Sequence, residues 1–310
     1  MNYIESLREG DMISEIYFCK TKTNALTKGG KKYCSLVLQD KTGTIDGKIW
    51  ELAGTEHFEE MSYVYVEAQV TVFREQPQLN IRRIRPAREG EYDVKEYMPC
   101  SERDATRMDD ELDGFIGSVK DPNLNWLLQE IFIKDRVFRK RFSERSAARS
   151  IHHAFRGGLM EHTLSVTKIC DFMAGQYPLL NRDLLITSAL CHDIGKVYEL
   201  SAFPENDYTD VGNLMGHIVI GTMMIRDKIR EKEDFPLTLG NELQHCILAH
   251  HGELEFGSPK KPALMEAMAL NIADNMDAKM ETFKETLASA DSSKDWLGYV
   301  KAFEANIRRT

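Results

Sequence analysis

The sequence predicts a two-part chain, a small five-stranded β-barrel followed by an all-helical domain, and three observations predict it. From Ile13 to Ile84 the chain consists of short runs rich in Val, Ile, Tyr and Phe, broken by turn signals. From Asp121 onward the apolar residues recur at helical spacing. Between these regions lies a polar, charged stretch from Pro86 to about Arg107 with Pro99 inside it, as a domain boundary requires. At 310 residues and 42% hydrophobic content the chain is long enough for each part to bury a core. The expected divisions are residues 1–90 for the barrel, 91–118 for a linker and helical connection, and 119–310 for the helical domain.

The strands are Ile13 to Thr21, Tyr33 to Gln39, Thr44 to Trp50, Tyr63 to Phe73 and Leu79 to Ile84, with Lys28-Gly29-Gly30 and Lys41-Thr42-Gly43 marking turns. Glu51 to Met61, between the third and fourth strands, is expected to supply one helix, the usual place for it in an OB-fold. The stretch from Leu38 through Asp40-Lys41-Thr42-Gly43 to Ile45, followed by Trp50, resembles the strand-turn-strand of nucleic-acid-binding OB-folds.

In the second part Asp121-Pro122 starts one helix, and Gly157-Gly158 precedes another from Leu159 to Gln176, stopped by Pro178. Further helices are expected over Arg182 to His192, Gly216 to Lys232, Leu239 to His250 and Pro262 to Ala288. There is no internal repeat and no low-complexity segment.

A net charge of −9 argues against a protein that coats nucleic acid indiscriminately, because neutralising phosphates needs a basic surface. The charge is nevertheless uneven. Lys20 to Lys48 holds seven lysines against Asp40 and Asp46, and Ala68 to Arg88 holds five arginines against Glu75. Two basic stretches within one small domain point to a local groove that faces phosphates. Lys32, Lys48, Arg74, Arg82 and Arg83 are the candidate phosphate contacts. Tyr17, Phe18, Tyr33, Trp50 and Phe73 offer aromatic faces for stacking bases, although strand alternation turns half of them inward. Such contacts bind without reading sequence.

No apolar run is long enough to cross a membrane, and acidic residues stand where a signal peptide would be basic and then apolar, so a soluble, cytoplasmic protein is expected. The six cysteines form no CxxC pair and read as reduced packing thiols.

Of nine histidines, His57 alone falls in the strand-rich part, and the other eight lie between residues 152 and 251. His162, His192, His217 and His250 each stand at or near the end of a different helix, so several helices can point one ligand each into a shared site. The sharpest feature is Cys191-His192-Asp193-Ile194-Gly195-Lys196, which ends the apolar run Leu184, Leu185, Ile186, Ala189, Leu190. A helix that apolar is buried, and a buried carboxylate without a partner costs several kcal/mol, on the order of a desolvated charge. Asp193 therefore calls for a cation or strong donors. Asp274 lies on a helix with Leu264, Met265, Met268, Leu270, Ile272, Ala273 and Met276, which leave few positions to water. His162, His192, Asp193 and Asp274 form a mixed nitrogen and oxygen set suited to Mn, Fe, Zn or Mg without any thiolate. His217, His250 and His251 complete a second position, and two cations about 4 Å apart bridged by Asp193 would serve phosphodiester cleavage. His57 and His245 read as ordinary histidines.

The order His162, His192-Asp193, Asp274 resembles the defining pattern of the HD superfamily of metal-dependent phosphohydrolases, and His217 with His250-His251 resembles its dinuclear branch. With an OB-like domain in front, Gly157-Gly158-Leu159 through His162, and His250-His251-Gly252 through Pro259, the chain is similar over essentially its whole length to the YhaM-type 3′-to-5′ exoribonucleases. That resemblance implies hydrolysis at the 3′ end of single-stranded nucleic acid, RNA before DNA, with two divalent ions per site and manganese favoured over Fe, Mg or Zn. It implies catalytic roles for Asp193 and Lys196, the latter holding a phosphate, and possible phosphate contacts from His152, His153 and Lys260. A homo-oligomer is compatible with it. Two other readings stay open: a nucleotide or cyclic-dinucleotide phosphohydrolase, and a non-catalytic nucleic-acid-binding protein.

Overall fold

The computed structural model describes all residues except 1, 27–28, 51–55, 74–75, 99, 102, 150–152, 154, 204 and 291–294. The chain groups into two compact units, Met1–Cys100 with Ala202–Glu205, and Ser101–Ser201 with Asn206–Thr310. The segment expected as a connection divides between them, residues 91–100 going with the barrel and the remainder with the helices.

Five strands form the first unit: β1 (Met12–Leu26), β2 (Lys32–Asp40), β3 (Gly43–Ile49), β4 (Ser62–Phe73) and β5 (Gln76–Pro86). They close in the order β1-β2-β3-β5-β4, with β4 returning to β1 and only β3 and β5 parallel, which is the OB-fold arrangement. Alternation explains the closure. In β2 Cys34, Leu36, Leu38 and Asp40 are buried, and in β4 Val64, Val66, Ala68 and Val70 are, so each strand gives one face to the core. Gly47 keeps this wall close-packed: a Cβ there would stand 2.7 Å from Ile81 Cδ1, the movable end of a side chain. Asp40 is buried, and its carboxylate accepts from the amides of Ile4 (2.7 Å) and Thr42 (2.7 Å) and fixes the β2–β3 turn. The helix expected over 51–61 is not found in residues 56–61, while 51–55 lie outside the described residues. This segment has one apolar anchor instead of a helical stripe: Phe58 is buried in the barrel core and its carbonyl accepts from Lys22 Nζ at 2.5 Å.

The second unit contains α1 (Ala105–Ser118), α2 (Pro122–Leu128), α3 (Arg136–Glu144), α4 (Gly158–Gln176), α5 (Arg182–Cys191), α6 (Lys196–Glu199), α7 (Asp210–Arg230), α8 (Leu237–Ala249) and α9 (Met265–Ser289). Side-chain caps set five of these starts: Asp104, Asp121, Asp135, Asn181 and Thr209 each accept a backbone N–H of the turn that follows. α5 is buried at every residue from Leu184 to Cys191 and forms the centre, with α4, α8 and α9 packed around it.

Three expectations are corrected here. α7 begins at Asp210, before Gly216, which instead breaks the helix with a φ of 71°. α9 is not buried all round: Leu270 and Ala273 face the core, whereas Met265, Met268, Ile272 and Met276 lie on an exposed face. The unit is not entirely helical, because β6 (Trp296–Val300) and β7 (Ala305–Arg308) form an antiparallel hairpin at its end.

Candidate metal centre

Five elements bring the ligand candidates together. His162 stands in the first turns of α4, and His192 and Asp193 follow α5 in the turn before α6. His217 follows the break in α7, His250 and His251 end α8, and Asp274 lies in the middle of α9. Gly195 makes this possible. The His217 carbonyl oxygen occupies the place where a Cβ on residue 195 would be, 2.0 Å away, so the turn after His192-Asp193 can meet α7 only with a glycine.

Asp193 is the hinge of the geometry. Its Oδ2 lies 3.5 Å from His162 Nε2 and 3.3 Å from His192 Nε2, while its Oδ1 lies 3.5 Å from His217 Nε2 and 3.8 Å from His250 Nε2. Asp274 Oδ1 closes the first side at 3.1 Å from His162 Nε2. On the second side the His251 ring packs 4.4 Å from that of His250 and 5.2 Å from that of His217. The ligand atoms of His162, His192 and Asp193, and separately those of His217, His250 and His251, lie close enough together to share an ion. All seven residues proposed from the sequence are thereby brought to one place.

The hydrogen bonds show what these atoms are prepared for. The Nδ1 atoms of His192, His250 and His251 face the carbonyl oxygens of Ala189 (2.7 Å), Ile247 (2.6 Å) and Phe256 (2.9 Å). Nδ1 of His162 faces Asp277 Oδ2 at 2.7 Å, and Nδ1 of His217 faces Glu199 Oε1 at 3.0 Å. With each Nδ1 facing an acceptor, donation from Nδ1–H makes Nε2 the inward atom of every ring, the one a metal takes once the proton on His162 is displaced. Asp193 Oδ1, His217 Nε2 and His250 Nε2 are buried with no hydrogen-bond partner. Leaving such groups unpaired costs about 1–3 kcal/mol each, so three converging on one point fit a cation.

Electrostatics divide the site in two. Burial acts to raise the Asp193 carboxyl, but the Lys196 ammonium, 2.6 Å away, and His192 hold it well below the usual carboxylate range. Asp274 and Asp277 are likewise held down against burial, by His162 and by His153 with His162. Burial alone would lower His162, yet the hydrogen bonds it donates to Asp274 and Asp277 push it up to about 9 in the ion-free protein. At the other end burial and the neighbouring imidazoles hold His250 well below its usual range and lower His251 too. The first side attracts positive charge, and the second offers neutral nitrogen donors.

The other candidates fall elsewhere. Lys196 sits beside Asp193 as just described. His153 is buried beside His162, with Nε2 3.1 Å from Asp277 Oδ2 and a left-handed backbone (φ 58°). His152 and Arg74 lie outside the described residues. Lys260 is exposed, and its charge is felt by His245, a ring held low first by burial. In the barrel Trp50 stacks on Tyr33 with centroids 5.0 Å apart, and Lys48 Nζ donates to Ser35 Oγ at 2.5 Å. Arg82, two residues after the β5 register partner of Lys48, donates to Gln69 (3.4 Å), Arg83 pairs with Glu67 (3.6 Å), and Lys32 is exposed. Tyr17 and Phe18 are core residues. Asp277 and Glu199 were not among the candidates. The one signal for Asp277 is its place one turn after Asp274, in Asp274-Asn275-Met276-Asp277.

A helical unit that converges histidines and aspartates on a bridging carboxylate defines the class, an HD-domain hydrolase that depends on metal, and residues 159–279 match the family model described as HD domain. The chain is 33% identical over 285 residues to the 3′-5′ exoribonuclease YhaM of Bacillus subtilis (strain 168), covering 90% of this chain and 88% of that protein. It is 34% identical over 284 residues to the 3′-5′ exoribonuclease YhaM of Geobacillus sp. (strain WCH70), covering 90% and 86%. The corresponding protein of Bacillus velezensis (strain DSM 23117) is 33% identical over 276 residues, covering 87% and 86%. The chain belongs to the YhaM family of HD-domain proteins. No helix among its described residues is long and apolar enough to cross a membrane.

Proposed function

We propose that this chain is a 3′-to-5′ exoribonuclease that hydrolyses single-stranded RNA at its 3′ end with two divalent cations, manganese favoured. The observation that carries the reading is Asp193, a buried carboxylate with one oxygen toward His162 and His192 and the other, unpartnered, toward His217 and His250. His162, His192, Asp274 and Asp193 Oδ2 would hold one ion, and His217, His250, His251 and Asp193 Oδ1 the other. When bound, such ions supply an acidified water as nucleophile and charge compensation for the leaving oxygen.

The chain's own groups do the positioning. Asp277 and Glu199 fix two imidazoles in the tautomer that presents Nε2. Lys196 keeps Asp193 ionised and, as an ammonium with three donors, has N–H groups left for a phosphate oxygen. Lys48 and the Tyr33–Trp50 pair give the barrel a basic, aromatic patch that binds a strand through phosphates and base faces, independent of sequence.

The test is a time course on an RNA oligonucleotide labelled at its 5′ end, alongside the matching DNA and free nucleotides, with manganese, magnesium or zinc and with chelator. A ladder shortening from the 3′ end with manganese, abolished in the His192→Ala/Asp193→Ala double variant that still binds RNA, is the expected result. Undiminished cleavage by that variant, or turnover of nucleotides alone, overturns the reading.

A further inference from the structure

His217 follows Gly216, whose φ of 71° breaks α7 into two segments. A break leaves the first amides of the second segment without intrahelical acceptors. Glu199 takes the first of them: Oε1 accepts from the His217 backbone N–H at 2.9 Å. The same oxygen lies 3.0 Å from His217 Nδ1. One buried carboxylate oxygen thus fixes both the backbone and the ring of a single residue. With Nδ1–H committed, His217 Nε2 is left as a lone pair, without a hydrogen-bond partner, 3.5 Å from Asp193 Oδ1.

Glu199 is itself held rigidly. Its carbonyl accepts from the Thr209 amide at 2.9 Å, and a Cβ on Gly212 would come within 2.2 Å of that carbonyl oxygen, so α7 is packed directly on the Glu199 backbone. α6 carries Glu199 at its end and begins three residues after Asp193. The segment that supplies the bridging carboxylate therefore also supplies the carboxylate that aims one of the opposing imidazoles. On the first side the carboxylate that aims an imidazole comes from a different element: Asp277 of α9 faces His162.

We propose that Glu199 is the positioning residue of the second cation position: it sets the affinity of the His217–His250–His251 end and leaves the His162–His192–Asp274 end unaffected. The proposal rests on the two-ion reading above. It predicts that the two positions can be weakened one at a time.

The test is calorimetric titration of the chelator-treated full chain with manganese, for the wild type, Glu199→Gln, Glu199→Ala and His217→Ala, with far-UV circular dichroism and melting of each. The expected result is two classes of binding in the wild type. In Glu199→Ala the class that disappears in His217→Ala weakens about 10- to 100-fold while the other holds. Glu199→Gln, which keeps an acceptor oxygen but no charge, falls between, and excess manganese restores its RNA hydrolysis. If Glu199→Ala does not fold, Glu199→Gln decides by the same criterion. Both classes unchanged, or both weakened equally in a folded variant, overturns the role of Glu199 while leaving the two-ion reading intact. A wild type with fewer than two classes overturns the two-ion reading itself, and this proposal with it.

Discussion

Asp277 Oδ2 lies 2.7 Å from Nδ1 of His162, so a carboxylate outside the ligand set aims the imidazole that α4 contributes. Replacing it with asparagine keeps the size and removes the charge. Asp277→Asn is expected to weaken manganese binding by about 10- to 100-fold, with the fold retained. Melting temperature followed across a manganese titration measures this, and an unshifted titration midpoint would show that His162 needs no such partner.

The ion-free protein should lose stability with rising pH. His162 has a folded-state pKa raised from 6.5 to about 9 by Asp274 and Asp277, against burial. A group raised on folding stabilises fully below its unfolded value and loses that contribution as pH passes its folded value. Urea denaturation of chelator-treated protein should therefore show stability falling between about pH 6.5 and pH 9, the window set by those two values. Manganese must displace this proton, so its stabilising effect should grow over the same range. A flat profile in the ion-free protein would contradict the assignment.

Gly195→Ala and Gly47→Ala should separate sharply. At Gly195 the added carbon meets backbone, the His217 carbonyl at 2.0 Å and the Gly221 nitrogen at 2.8 Å, and neither can move without displacing α7. At Gly47 it meets the end of the Ile81 side chain, which can change rotamer. The first variant is expected to lose about 3 kcal/mol or more together with manganese binding, and the second about 1 kcal/mol with binding intact. Urea midpoints and metal content decide between them.

Trp50→Ala and Lys48→Gln are expected to weaken binding of a single-stranded oligonucleotide, the former by about 1–3 kcal/mol from lost stacking. The Lys48 variant should also flatten the salt dependence of binding. Fluorescence anisotropy at several salt concentrations measures both. Unaltered affinity in the pair would place the strand on another surface.

Much of this site was legible in the sequence because His192-Asp193 ends a helix too apolar to be anything but buried, and because His162, His217, His250 and Asp274 stand on separate helices. The orienting carboxylates were not. Asp277 and Glu199 read as ordinary helical acids, and only the packing of α9 on α4 and of α6 on α7 turns them toward imidazoles. The contact of His153 with Asp277 was equally hidden, since adjacency to His162 in sequence says nothing of a partner 124 residues away. In the fold, alternation exposed all five barrel strands, whereas residues 56–61 hold to the barrel core through Phe58 and carry no helical stripe to read. The closing hairpin escaped because its strands are only five and four residues long, too short for pattern to outweigh the helical context.

The three bare atoms beneath Asp193, His217 and His250 also govern how this protein will behave on the bench. A pocket of nitrogen and oxygen donors that is incomplete when empty will scavenge whichever transition metal the host supplies most freely. Freshly purified material should therefore carry an inventory that mirrors its growth medium, and comparisons between laboratories will agree only after stripping and defined reloading.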